Sequence, residues 1–110
     1  MDRVFLVYEE YRYNGCGNDL NVFLCASMDI AICMVKEQLK WYLENTYLNN
    51  FVDENLNVKK EMLDKKYDTW KVSEDSVEIY IDDRTTCLNI HIVKKEIITK
   101  LNKTKYDNYM

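Results

Sequence analysis

Two segments in the second half of the chain alternate between apolar and other side chains, and this pattern most restricts the possible fold. They are residues 77–82 (VEIYID) and residues 87–94 (CLNIHIVK). Alternation with a period of two places the apolar side chains of a strand on one face of a sheet. Because only a few residues separate the segments, we predict an antiparallel hairpin with a tight turn centred on Arg84 and Thr85.

The turn also predicts a register, because both apolar rows must lie on the same face of the sheet. The expected apolar pairs are Ile81 with Leu88, Ile79 with Ile90, and Val77 with Ile92. On the outer face this register places Glu78 opposite His91, where the two side chains can attract each other. It also places Asp82 opposite Cys87.

The start of the chain predicts a second hairpin. Residues 3–11 (RVFLVYEEY) are rich in β-branched and aromatic side chains, and apolar residues on both faces favour a central strand that is covered on each side. Asn14 and Gly15 form a strong turn signal. Residues 20–25 then read as the second strand. Its apolar side chains on one face are Leu20, Val22 and Leu24.

A long helix follows the first hairpin. Ser27 is a suitable N-cap, and residues 28–49 have apolar side chains at spacings of three and four. The predicted core face consists of Ala31, Ile32, Val35, Leu39, Tyr42, Leu43 and Thr46. Such a helix reaches about 30 Å and can cross a small sheet. Residues 58–67 predict a short second helix.

These elements predict an α+β fold: an antiparallel sheet of four to five strands, formed by two β-hairpins, with one long helix packed on one face and a short second helix. The 110 residues suit a single domain. We assign this domain to residues 1–101 and expect residues 102–110 to form a mobile tail. The chain contains neither a run of about 18 apolar residues nor a secretory signal, so we expect a cytoplasmic protein that does not contact a membrane.

The long helix carries a second apolar stripe, formed by Ile30, Met34, Trp41 and Leu48. A helix that is apolar on two sides is either covered within its own chain or docks against another one. Two alternatives therefore stay open for Trp41: burial beneath residues 51–72, or exposure at an interface.

The sequence contains no recognisable catalytic or metal site, and we expect no enzyme activity, metal or cofactor. The four cysteines lack Cys-x-x-Cys spacing; Cys25 and Cys33 are expected to be buried. His91 is the only histidine, which excludes sites that need two. Glu9 and Glu10 are adjacent in a strand and therefore point to opposite faces, which makes them poor partners in hydrolysis.

Charge predicts a protein partner more than a nucleic acid. The formal net charge of −4 argues against direct nucleic-acid binding, which draws on a basic excess. The acidic residues Glu74, Asp75, Glu78, Asp82 and Asp83 lie near one hairpin and could imitate the spacing of phosphates. Protection of an edge strand by charge is the simpler explanation for them. We predict that this set, with Tyr80 and Trp41 as aromatic anchors, is the partner-binding surface.

The opening VFLVYEEY, the Ser-capped helix, Trp70 and the later SVEIYIDD and LNIHIVK together resemble small α+β proteins of bacteriophages and mobile elements. The resemblance covers residues 3–95. Some such proteins are anti-defence factors, including anti-CRISPR proteins. It implies a non-enzymatic inhibitor in a bacterial host cell that occupies a nucleic-acid-binding or assembly surface of an immune effector. The alternative is a sponge or sensor for a small ligand such as a nucleotide; as a homodimer it would hold its site at the subunit junction.

Overall fold

A computed structural model describes residues 3–96, and five antiparallel strands form its sheet. In chain order the elements are β1 (Arg3–Tyr13), β2 (Cys16–Cys25), α1 (Met28–Asn45), β3 (Thr69–Val72), β4 (Ser76–Ile81) and β5 (Thr86–Glu96). The strand order across the sheet is β2-β1-β5-β4-β3. The predicted α+β fold and both hairpins are confirmed. The domain end predicted at residue 101 and the tail predicted at 102–110 lie outside the described residues.

The first hairpin turns at Asn14 and Gly15, which both have positive φ angles (52° and 71°). These angles are those of the hairpin turn that Asn-Gly favours. The register shifts between Tyr11 and Tyr13, so that β2 pairs regularly with β1 only over residues 19–25. Leu20, Val22 and Leu24 share a face, as predicted.

Helix α1 begins where the sequence indicates and ends earlier than predicted. The Ser27 hydroxyl accepts a hydrogen bond of 3.2 Å from the backbone N–H of Ile30. The helix stops at Asn45 because Thr46 is extended, and the Thr46 hydroxyl donates to the Tyr42 carbonyl at 2.5 Å. A short 3-10 turn, Tyr47–Phe51, follows.

The core lies between α1 and one face of the sheet. The helix contributes Ala31, Val35, Tyr42 and Leu43, all of which belong to the predicted core face. The sheet contributes the buried residues Val7, Val77, Ile79, Ile81, Leu88 and Ile90. The alternation of β4 and β5 is therefore confirmed. Leu48, from the second apolar stripe, is also fully buried.

The predicted register of the second hairpin is wrong by two residues. Ile79 pairs with Leu88 and Val77 with Ile90, so the apolar rows still share a face. The cause is that the turn is centred on Asp83 and Arg84, one residue earlier than predicted, because Ile81 pairs with Thr86. The Asp82 carbonyl accepts hydrogen bonds from the backbone N–H (3.2 Å) and the hydroxyl (2.7 Å) of Thr85.

The outer-face pairs change with the register. Glu78 lies opposite Asn89, so its predicted pairing with His91 is wrong. His91 instead stacks against Tyr8, with ring centroids 5.4 Å apart. Cys87 lies opposite Tyr80 and not opposite Asp82. It is fully buried, and burial raises the pKa of its thiol.

Two further expectations differ from the structure. Within residues 58–67, the only helical turn is the 3-10 turn Lys60–Met62, because Asp64 and Asp68 accept backbone hydrogen bonds that favour turns. Cys25 is buried as predicted, whereas Cys33 is exposed because it lies on the outer side of α1.

Only one face of the sheet is covered by the described elements. The hydrophobic core draws its strand residues from the face beneath α1. Within residues 3–96, β1 is therefore covered on one face only, and not on both as predicted. On the open face, Leu20, Val22 and Leu24 are 67%, 53% and 76% exposed. Within residues 3–96, no helix is long and apolar enough to span a membrane.

Candidate functional site

The acidic residues predicted to bind a partner do not form one patch. Glu74 and Asp75 lie in the turn before β4, and Asp82 and Asp83 lie in the turn after it. The six residues of β4 separate these turns by about 20 Å. Glu78 is exposed in the middle of the strand, on the open face.

The two predicted aromatic anchors lie on opposite faces of the sheet. Tyr80 is half-buried on the open face, where the guanidinium of Arg84 lies 5.0 Å from its ring centroid. Trp41 is 53% exposed on α1, on the helix-covered face. It lies near β2 and not beneath residues 51–72, so the first alternative for this side chain is wrong.

Trp41 belongs to a groove between the second half of α1 and strand β2. Two adjoining cavities of about 500 and 370 Å³ share Asn21, Trp41 and Tyr42 in their walls. We call the pair of cavities the acidic groove. The residues that define it are Glu9, Asp19, Asn21, Glu37, Trp41 and Tyr42.

Glu9 is the most unusual residue of the acidic groove. Its side chain is only 3% exposed. Oε1 accepts hydrogen bonds from the Tyr42 hydroxyl (2.6 Å) and from the Asn21 amide (3.1 Å). Oε2 is buried and has no hydrogen-bond partner within residues 3–96. A buried polar atom without a partner costs free energy unless something else satisfies it.

Local structure explains why Glu9 lies there. It follows Val7 by two residues in β1, so the pleat directs both side chains towards α1. Asn21 is its direct partner on β2. Tyr42 comes from the last turn of α1 and reaches the same carboxyl group from above.

The electrostatic character of the acidic groove is negative. Burial, followed by the hydrogen bond and the charge of Glu9 and by the charge of Asp19, raises the pKa of Tyr42. Glu37 adds a further carboxylate on the α1 side. Among the described residues, no lysine or arginine lines either cavity. The groove therefore suits a cationic group.

The aromatic walls favour a planar cation in particular. Trp41 and Tyr42 meet edge to face at 5.1 Å, and Tyr11 lies 5.0 Å from Tyr42. A guanidinium group can stack on an aromatic ring while it donates hydrogen bonds to a carboxylate in its plane. An ammonium group also donates to a carboxylate and is attracted by a ring, but it has no planar face that can stack.

Sequence reasoning found one residue of this site, Trp41, and missed the others. The available signal was the inward row of β1, where Glu9 stands between the apolar side chains of Val7 and Tyr11. A carboxylate in a buried row is rare and is paired when it occurs. No pattern in the sequence indicates that Asn21 and Tyr42 supply those contacts.

The remaining described residues offer no metal centre: no group of three or more His, Cys, Asp or Glu side chains within residues 3–96 could hold an ion. Comparisons of the chain with protein-family models, with curated proteins and with solved structures found no match.

Proposed function

We propose that the chain is a non-enzymatic binding protein that captures an arginine side chain of a basic protein partner in the acidic groove. The observation that carries this proposal is the buried carboxyl group of Glu9, whose Oε2 has no partner within the described residues. An arginine N–H that displaced the side chains burying that atom would satisfy it, and a charge-assisted hydrogen bond of this kind is stronger than a neutral one.

The surroundings of Glu9 support the same ligand. Asp19 and Glu37 add negative charge, which accelerates the approach of a basic partner. Trp41 is half exposed and offers a stacking surface at the mouth. These carboxylates would repel phosphate, so the groove favours a cation over the nucleotide of the alternative hypothesis.

The proposal is tested by NMR titration of the ¹⁵N-labelled chain with a capped Gly-Arg-Gly peptide, observing the indole N–H of Trp41. The matched ligand is the same peptide with citrulline, which has the shape of arginine without its charge. We expect the arginine peptide to shift the Trp41 signal at millimolar concentration and the citrulline peptide to leave it unchanged. Equal shifts from both peptides would contradict recognition of a cation.

Two variants of helix α1 test whether the arginine peptide binds in the acidic groove. Because Trp41→Ala removes the indole probe, binding to the variants is followed through the side-chain amide signal of Asn21, which lines both cavities. Trp41→Ala should weaken arginine binding about threefold to tenfold, because a half-exposed cation–π contact contributes about 1 kcal/mol. The matched control is Ile30→Ala, which removes an apolar side chain of similar exposure (51%) from the same helix outside the groove. Its binding should equal that of the unaltered chain. If both variants bind equally well, the groove is not the site.

We further propose that the basic partner is a bacterial immune effector. The nucleic-acid channel of a bacterial immune effector offers many arginine side chains, and the resemblance to anti-defence proteins suggests such an effector. Its test is competition: the chain should reduce DNA binding by a purified CRISPR effector complex, and Trp41→Ala should reduce it less. If the effector is unaffected while the arginine peptide still binds, the immune partner is wrong and the arginine site stands.

A further inference from the structure

Strand β2 forms an edge of the sheet, and its outer side is open among the described residues. Its regular part, residues 19–25, pairs with β1 on one side only. Within this stretch, residues 19–22 and Leu24 are exposed. No strand within residues 3–96 pairs with the main-chain groups on the outer side, so another strand can pair with them.

This edge lacks the features that keep edge strands apart. Residues 19–25 (DLNVFLC) contain no proline, no lysine and a single charge, at Asp19. The opposite edge, β3, is only four residues long and carries Lys71 in its middle. A long edge strand with few charges pairs readily with another strand, so the contrast between the two edges points to β2 as a contact.

The regular part of β2 is complementary to itself. Its central residue is Val22, and a two-fold axis there pairs each residue with one on the same face of the second copy. On the open face, Val22 meets Val22 and Leu20 meets Leu24. On the other face, Asn21 meets Phe23 and Asp19 meets Cys25. No charge faces a like charge in this register.

We infer that a second copy of this chain pairs with β2 in antiparallel orientation, centred on Val22. The pairing joins two five-stranded sheets into one continuous sheet, adds about six to eight main-chain hydrogen bonds and forms a stripe of six apolar side chains from Leu20, Val22 and Leu24 of both copies. It goes beyond arginine capture, because it depends on the outer edge of β2 and not on Glu9.

The first test measures the mass in solution by sedimentation velocity between about 1 and about 100 µM, the range expected for a modest interface. We expect a species with twice the 13.3 kDa mass of the chain that dissociates on dilution. Val22→Lys should raise its dissociation constant at least about tenfold, because like charges meet at the axis. The matched control is Val72→Lys, which changes a half-exposed valine (46%) on the other edge and should leave the dimer intact.

The second test separates loss of pairing from loss of folding. Val22→Lys and Val22→Glu chains should each be monomeric, and an equal mixture of them should recover the dimer because opposite charges then meet at the axis. A monomer at every concentration of the unaltered chain, assembly beyond two copies, or a mixture that stays monomeric would each overturn this pairing.

Discussion

At the scale of single residues, Glu9 shows how a binding site can cost stability. A carboxyl group 97% buried beneath a helix is favourable only if both oxygens have partners, and its Oε2 has none among the described residues. The side chain is thus better suited to a ligand than to the fold of the free chain. Sites of this kind trade stability for function.

We therefore expect Glu9→Gln to raise the stability of the fold and to weaken arginine binding. The amide keeps an oxygen to accept from Tyr42 and Asn21. Its NH2 group replaces the uncompensated charge by a neutral group, whose burial costs less. We expect the free energy of unfolding at neutral pH, measured by urea denaturation, to rise by about 1 kcal/mol. Arginine-peptide binding should fall at least about tenfold. A variant that is both less stable and unimpaired in binding would contradict this role of Glu9.

At the scale of elements, the sequence predicted faces better than it predicted registers. Alternation fixes which side chains of β4 and β5 are buried, because the strand period is two. The register depends on the turn, and Asp82, Asp83 and Arg84 all adopt positive φ angles (51°, 57° and 67°). No glycine marks this conformation in the sequence, so the sequence does not indicate that the turn is centred on Asp83 and Arg84. The end of α1 was missed for a similar reason, since neither Gly nor Pro follows Asn45.

The unusual turn between β4 and β5 predicts a gain in stability at Asp83. Left-handed backbone costs an L-residue with a Cβ atom about 1 kcal/mol, and glycine avoids this cost. Asp83→Gly should therefore exceed Asp83→Ala in unfolding free energy by about 1 kcal/mol, since both variants remove the same exposed carboxylate. Thermal and urea denaturation measure the difference. Equal stabilities would show that residue 83 does not hold a left-handed conformation.

At the scale of the whole molecule, the acidic groove and the β2 edge lie side by side. Asn21 lines the groove, and in the inferred dimer it meets Phe23 of the second copy. Pairing would thus add an aromatic side chain beside each groove. The sequence could not indicate this proximity, because it depends on the distance between α1 and β2, which is set by packing. The alternation of residues in the sequence of β2 indicated only that Leu20, Val22 and Leu24 share a face.

The buried contact between Tyr42 and Glu9 also makes the free energy of unfolding of the chain fall as the pH rises into the alkaline range. The unfolded chain loses the phenol proton near the ordinary pKa of 10.0, whereas burial and Glu9 raise the pKa of Tyr42 in the folded chain. Above about pH 10 the unfolded state therefore binds fewer protons than the folded state. The contribution of Tyr42 to the free energy of unfolding is complete below pH 10. It is lost as pH rises through the raised pKa, by up to about 1.4 kcal/mol per pH unit.

Replacement of the phenol isolates this contribution. Tyr42→Phe lowers the free energy of unfolding at neutral pH, because it removes a hydrogen bond to Glu9, but its decline between about pH 10 and pH 12 should be shallower than that of the unaltered chain. Tyr67→Phe, which changes a half-exposed tyrosine (51%) outside the groove, should keep the original slope. Urea denaturation at each pH gives the three curves. Parallel curves for Tyr42→Phe and the unaltered chain would mean that water reaches the Tyr42 hydroxyl, and that the floor of the acidic groove is open.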